Sequence, residues 1–264
     1  MREAQNADGG FGPRIGLPSE PEPTALVTIA LDDERGRTWL GEHQSDDGSL
    51  TLDAGVVVND SATAFAAIAL EAGDARERAL DHLETGLAPD ARSTSDVPFD
   101  ASKHGWAWTE STFGWVDPTA RAVLALRLLR PGAPAIDDGV GMLRDRETVG
   151  GGWNYGNRVV LGEDLEPYAQ TTAAALVALQ HADPTLEARG LTTLKRLWRA
   201  ERDGGLTVSL ATAALRLHGD GDADASERAL FDVFERSGFM DDVVALAWAA
   251  IATGPALSGL EVVR

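Results

Sequence analysis

The chain has 264 residues, no cysteine and a formal net charge of -19 at pH 7. This charge disfavours nucleic acid and anionic membrane surfaces as partners, because like charges repel. The lack of cysteine excludes disulfides, thiolate zinc sites and cysteine nucleophiles. The first residues have no apolar core typical of a signal peptide, and no stretch is long and uncharged enough to span a bilayer, so we expect a cytoplasmic protein.

Glycine-rich loops recur along the chain at irregular intervals of roughly 40 to 60 residues. The first is Gln5-Asn6-Ala7-Asp8-Gly9-Gly10-Phe11, and similar segments follow at residues 44–50, 150–153 and 203–206. The longest unit, residues 103–129, is an aromatic loop that runs into an apolar helix with Pro118 in its first turn. Proline is tolerated there because its missing N–H has no partner in a first turn. The repetition predicts an array of helical hairpins.

Two kinds of helix alternate between these loops. One kind is apolar nearly all round and must be covered on most sides; it comprises residues 24–31, 62–70, 119–129, 171–180, 208–217 and 243–252. The other kind has one apolar stripe and contains Leu80, Ile136, Leu194 and Leu230. The only strand-like run, residues 56–58, is too short to support a sheet.

Buried helices that alternate with half-exposed ones predict an all-α fold in a single domain over residues 1–264. The expected architecture is an α/α toroid of roughly six helical hairpins, with an inner and an outer layer and an incomplete first hairpin. An open solenoid of the same hairpins is the alternative.

With these residues in view, the chain resembles the prenyltransferase and squalene-cyclase repeat superfamily. The segment at Gln5 resembles the QW-type repeat of the triterpene cyclases. Residues 105–110 and 152–157 resemble segments of bacterial single-domain members of unsettled function. The resemblance covers nearly the whole chain. It implies an α/α barrel with parallel inner helices and a central cavity that in the cyclases holds an isoprenoid.

The resemblance also implies a catalytic acid. In the cyclases an aspartate of an Asp-x-Asp-Asp-Thr-Ala motif protonates the substrate. Residues 115–120 keep the middle aspartate as Asp117, followed by Thr119 and Ala120, whereas Trp115 and Pro118 replace the outer two aspartates. The zinc site of the protein prenyltransferases needs a cysteine and cannot be assembled here in its usual form.

Acidic residues stand near the starts of the apolar helices: Glu22, Asp60, Asp117, Glu166 and Asp241-Asp242. As helix caps, they would each contribute about 0.5–2 kcal/mol. If the inner helices run parallel, the same carboxylates gather at one mouth, where like charges raise pKa values. Such a ring acts as a general acid, stabilises a carbocation or holds a divalent cation. No other cofactor is expected.

If the protein is an enzyme, we predict acid-initiated chemistry with Asp117 as the proton donor and Glu110 or Glu166 assisting. The substrate pocket is predicted from aromatic and amide side chains of the loops: Trp106, Trp108, Trp115, Trp153, Asn154, Tyr155, Tyr168 and Gln170. Tryptophan faces stabilise cations and form flat apolar walls. The alternative is that the tryptophans pack one hairpin against the next.

Three functions follow from these observations. The first is a terpene-cyclase-like or prenyltransferase-like protein that binds an isoprenoid, or a similar apolar small molecule or lipid, in a central cavity. The second is a non-catalytic binding or scaffold protein that presents a concave surface to a protein partner or to a second copy. The third is a carbohydrate-active α/α barrel with paired carboxylates such as Glu110 with Asp117. A cavity filled by side chains, with aromatic residues facing outward, favours the second function.

Overall fold

A computed structural model describes residues 1–51, 60–89, 92–108 and 112–263. Almost all of the regular secondary structure in the described part is helical, which confirms the all-α class. Its α-helices are α1 (Pro21–Leu31), α2 (Glu34–Glu42), α3 (Asp60–Ala69), α4 (Asp74–Thr85), α5 (Val116–Leu129), α6 (Ala135–Asp145), α7 (Ala169–Leu179), α8 (Pro184–Ala200), α9 (Gly205–Leu217), α10 (Ala223–Ser237) and α11 (Val243–Thr253). Short 3-10 helices lie at Arg2–Ala4, Gly238–Asp241 and Pro255–Leu260.

The six apolar helices pack side by side in a closed cycle, which we call the inner ring. In order around the cycle they are α1, α3, α5, α7, α9 and α11, and α11 packs against α1. The remaining helices lie outside, each against the inner helix that precedes it: α2 on α1, α4 on α3, α6 on α5, α8 on α7 and α10 on α9. Because α11 returns to α1, the array does not continue as an open solenoid.

Polar contacts show that the inner helices begin at one end of the ring. Glu22 of α1 is ion-paired with Arg121 of α5, and Gln170 of α7 donates a hydrogen bond to Thr207 of α9. The Val243 N–H at the start of α11 donates to the Pro13 carbonyl before α1. The inner helices therefore run parallel. We call this end the amino-terminal mouth.

The opposite end of the ring is held together by side chains that cap carbonyls. Arg127 of α5 donates to the Ala178 and Gln180 carbonyls at the end of α7, and Arg216 of α9 donates to the Ala252 carbonyl of α11. These cations also oppose the negative ends of the helix dipoles. The buried amide of Gln180 bonds the Leu260 carbonyl and the Val262 N–H, so the chain after α11 crosses this end.

One small element differs from the sequence prediction. Residues Val159–Val160 and Glu163–Asp164 pair as a two-stranded antiparallel hairpin, β1 and β2. Its turn, Leu161-Gly162, has φ angles of 53° and 80°, as expected for a two-residue hairpin loop. Strands of two residues leave no alternating pattern, so the sequence gives no signal of them. The run at residues 56–58 lies outside the described residues.

Candidate functional site

A repeated hydrogen bond sets the register of four inner helices. Threonine hydroxyls near the helix starts accept backbone N–H groups from the preceding loops at 2.9–3.0 Å: Phe11 to Thr24, Leu50 to Thr63, Trp106 to Thr119 and Trp153 to Thr172. Residues two positions before these threonines are therefore equivalent. They are Glu22, Ser61, Asp117 and Gln170.

The helix period shows which way these positions face. Two residues after the threonines come Phe65 of α3, Arg121 of α5 and Ala174 of α7, and all three line the centre of the ring. Residues four apart lie on the same face of a helix. Ser61 therefore shares the inner face of α3 with Phe65, and Asp117 shares the inner face of α5 with Arg121.

Arg121 joins two carboxylates at the amino-terminal mouth. Its Nε and Nη2 atoms lie 3.1 Å and 2.9 Å from the two Asp117 carboxylate oxygens, and its Nη1 atom lies 2.5 Å from Glu22 Oε1. The guanidinium carbon stands 4.9 Å from the Phe65 ring centre and 5.8 Å from the Trp108 ring centre. Both distances are within the range of cation–π attraction. We call Glu22, Asp117 and Arg121 the mouth triad.

The mouth triad has one cation for two carboxylates, in a setting largely removed from water. Burial raises the pKa of Asp117, the Arg121 guanidinium opposes this rise, and the Glu22 carboxylate adds to it. Burial and the Glu22 charge also raise the pKa of Glu20, immediately before α1. Both shifts reflect a mouth in which carboxyl groups outnumber the cation that pairs with them.

Side chains fill the ring below the triad. Phe65 of α3 and Trp248 of α11 are buried and meet edge to face, with ring centres 5.7 Å apart. The cavity between them, Arg121 and the apolar side chains of α5, α7 and α9 has a volume of about 20 Å³. That space suits one water molecule or an ammonium group. Sites for drug-sized ligands have volumes of about 300–1,000 Å³.

Two of the predicted pocket tryptophans lie between the helix layers. Trp106 and Trp153 are fully buried, and their indole N–H groups donate to the carbonyls of Leu83 and Leu143 in outer helices. An added Cβ at Gly139 of α6 would stand 2.8 Å from Trp106. Both tryptophans thus pack between helices, as the alternative interpretation of the sequence expects, and do not line the cavity at the ring centre.

The other predicted pocket residues occupy several places at the mouth end. Trp108 contacts the mouth triad, and Gln170 bridges α7 to α9. Asn154 is buried and hydrogen-bonds the backbone of Gly156 and Asn157, so it shapes its own loop. Trp115 packs against Phe113, with ring centres 4.5 Å apart.

Tyr155 and Tyr168 are exposed and lie together, with ring centres 5.3 Å apart. Of the predicted acids, Asp117 belongs to the mouth triad, whereas Glu166 is exposed on the loop before α7. Glu110 lies outside the described residues, as does the side chain of Asp60. The structure therefore brings Asp117, Glu22 and Trp108 together.

Sequence reasoning missed Arg121, although a signal was present. Arg121 follows Asp117 by four residues, the spacing of a helical ion pair, and it interrupts an otherwise apolar segment. Ser61, Phe65 and Trp248 were also not selected, because serine and aromatic residues in an apolar helix usually belong to the core.

The described residues lack both a metal-binding cluster and a membrane-spanning helix. These residues contain no cluster of three or more histidine, aspartate or glutamate side chains arranged to hold a metal ion. Within the same part of the chain, every helix falls short of the length and apolarity needed to cross a membrane.

Comparisons with known structures support the fold. A crystal structure of a protein from Actinoplanes has a TM-score of 0.60 at 15% identity, over 97% of this chain and 95% of that one. A mutant of Salmonella alpha-2-macroglobulin has a TM-score of 0.52 at 14% identity, over 96% of this chain. The match spans only 17% of that macroglobulin. No protein-family model and no curated protein sequence matches the chain. At these identities the similarities show the fold alone.

Proposed function

We propose that the chain is a non-catalytic binding protein that holds a basic protein segment on the loops around its amino-terminal mouth. One observation carries this proposal: the ring interior is filled, while large apolar side chains are exposed on these loops. Proteins without a partner rarely expose clustered apolar side chains, and such clusters commonly mark interaction sites.

The apolar side chains come from loops on both sides of the mouth. The loop at residues 154–168, which we call the rim loop, exposes Tyr155, Leu161, Leu165 and Tyr168, with Leu161 74% exposed. Across the mouth, Ile15, Leu17 and Met240 are exposed, and the Ile15 N–H donates to the Asp241 carbonyl. Tyrosine suits such a surface because it has a large apolar face and few rotatable bonds.

Charge favours a basic partner. The rim loop carries the exposed acids Glu163, Asp164 and Glu166, and the whole chain has a net charge of -19. Such a field speeds the approach of a cationic partner and repels an anionic one. We therefore expect a segment that combines lysine or arginine with leucine or aromatic residues.

A short-peptide phage library panned against the purified protein tests this proposal. Enriched peptides should combine basic with apolar residues, and should bind the Tyr155→Ser/Tyr168→Ser double variant about tenfold more weakly or worse. Phe231→Ser is the matched control, because Phe231 on α10 is 47% exposed and each tyrosine is 48% exposed. Equal binding to the double variant and the control, or no enrichment, contradicts the proposal.

Isoprenoid binding is the second candidate, supported by the resemblance to the cyclases and by the aromatic rings that face the ring centre. It requires Phe65 and Trp248 to move, because the present cavity of about 20 Å³ is smaller than an isoprenoid unit. Mass spectrometry of lipid that co-purifies with the protein tests it. If a polyprenyl compound is turned over, Asp117→Asn should abolish the turnover; turnover by that variant removes Asp117 as the acid.

A further inference from the structure

We propose that the mouth triad and Ser61 form a site for a primary ammonium group, supplied by a lysine side chain of the bound protein segment. This inference rests on the proposed function and names the group that the mouth recognises. Its basis is a buried, unpaired hydroxyl on α3, the helix between those that carry the two carboxylates, and these carboxylates share one cation.

The position of Ser61 is the first step. Ser61 lies on α3, between α1 with Glu22 and α5 with Asp117, at the equivalent position of its helix. Its side chain is fully buried, and its Oγ atom has no hydrogen-bond partner among the described residues. A buried hydroxyl without a hydrogen-bond partner costs free energy. We therefore expect a ligand group to form the missing hydrogen bond with Ser61 Oγ.

Charge is the second step. Arg121 supplies one positive charge for Glu22 and Asp117, and Glu20 adds a further carboxyl nearby. One added cation balances the triad. Each N–H donor of that cation needs an acceptor. The Glu22 carboxylate, the Asp117 carboxylate and the Ser61 hydroxyl can each accept one hydrogen bond, which gives three acceptors.

Size and shape are the third step. An ammonium group has three donors on one small atom, whereas a second guanidinium needs a flat slot. The cavity that Asp117 and Arg121 line measures about 20 Å³, close to the volume of one water molecule, and an ammonium group is about that size. The Trp108 and Phe65 faces beside Arg121 favour a cation at this point and disfavour an anion.

Thermal unfolding with small amines tests the site itself. At matched ionic strength, n-butylammonium at about ten times its dissociation constant should raise the Tm by about 2–4 °C. Tetramethylammonium, which has the charge but no N–H donor, should not. The rise should disappear in Ser61→Ala and in Glu22→Gln. It should persist in Glu147→Gln, whose side chain is 13% exposed, against 21% for Glu22, and pairs with Arg189 elsewhere. An equal rise with both amines, or an unchanged rise in Ser61→Ala, overturns the proposal.

The selected peptides then separate this inference from the proposed function. Replacing their lysine by norleucine should weaken binding to the wild type but leave binding to Glu22→Gln unchanged. A different result is that the peptides bind through Tyr155 and Tyr168 with an affinity that neither the norleucine replacement nor Glu22→Gln alters. That result would support the partner surface and contradict the ammonium site. If spermidine raises the Tm more than any lysine peptide does, the assignment to a lysine side chain is wrong.

Discussion

Arg121 is the residue on which the mouth of the ring depends. Its guanidinium meets two carboxylates and two aromatic faces, contributed by α1, α3, α5 and the loop before α5. A buried ion pair gains little over an apolar pair, because removing both charges from water costs about as much as their attraction returns. Removing one member is different, because it leaves the remaining charges buried and unpaired.

We therefore expect Arg121→Met to lower the free energy of unfolding by about 3–5 kcal/mol at pH 7. Urea unfolding measures this loss. Arg189→Met is the control, because Arg189 is half exposed and pairs with Glu147 at the surface, where such pairs contribute about 0–1 kcal/mol. Similar losses in the two variants would show that the triad is no more than a surface pair.

The pH dependence of the same variant follows from the carboxylates. Burial and the Glu22 charge raise the pKa of Asp117, and Arg121 opposes this rise, so removing Arg121 leaves the folded-state pKa of Asp117 further above its unfolded value. A group with a raised carboxyl pKa favours the folded state more as pH falls through that pKa, because the folded state binds the proton more tightly. The stability gap between Arg121→Met and the wild type should thus narrow from pH 7 to pH 5. A constant gap would mean that the loss comes from packing.

At the scale of elements, the hairpins meet through buried tryptophans that need glycine opposite them. Trp106 packs against Gly139 of α6, and Trp153 packs against Gly190 of α8. A Cβ at either glycine would overlap the indole ring, and ring and helix are both fixed by their neighbours. These glycines therefore set the distance between the layers.

Gly139→Ala should destabilise the protein by about 1–3 kcal/mol, because the added methyl group overpacks against Trp106 and Val123. Gly141→Ala, two residues later in α6, should instead stabilise it by about 0.5–1 kcal/mol. There the Cβ meets only the flexible Lys103 side chain, and alanine favours the helix. Thermal or urea unfolding of the two variants checks the opposite signs. Equal effects would show that the α6–Trp106 contact is loose.

The sequence predicted the elements whose pattern is unambiguous. The six inner helices are apolar on every side, which only a surrounded helix tolerates, so their positions agree with the prediction. The outer helix α2 was missed, because Trp39 and Leu40 are its only large apolar residues. Asp33 caps α2 by accepting the Gly36 N–H at 2.7 Å.

The site was harder to predict than the helices. Asp117 was selected for its place in a motif, but it shares Arg121 with Glu22, which lies 95 positions earlier in the chain. The packing of α1 and α5 on either side of α3 brings them together. Likewise, tryptophans that line a pocket and tryptophans that pack hairpins occupy the same loops, so spacing alone does not separate Trp106 from Trp108.

At the scale of the whole molecule, charge and architecture oppose each other. A closed ring holds a net charge of -19 in a compact volume, and this self-repulsion favours the expanded, unfolded chain. Many carboxylates have no cationic partner, because 42 acidic residues face 23 lysines and arginines. Repulsion among the excess acids therefore exceeds the attraction of the surface ion pairs.

Salt should accordingly stabilise the protein at neutral pH. The Debye length falls from about 10 Å at 0.1 M to about 3 Å at 1 M salt, so repulsion between exposed carboxylates is screened more strongly as salt is added. We expect the urea midpoint at pH 7 to rise between these concentrations of KCl. The control is the same titration near the isoelectric point of about 4.5, where the net charge vanishes and the remaining ion pairs are weakened by screening. There the rise should disappear or reverse. A similar rise at both pH values would assign the effect to strengthened apolar burial, which salt produces at any net charge.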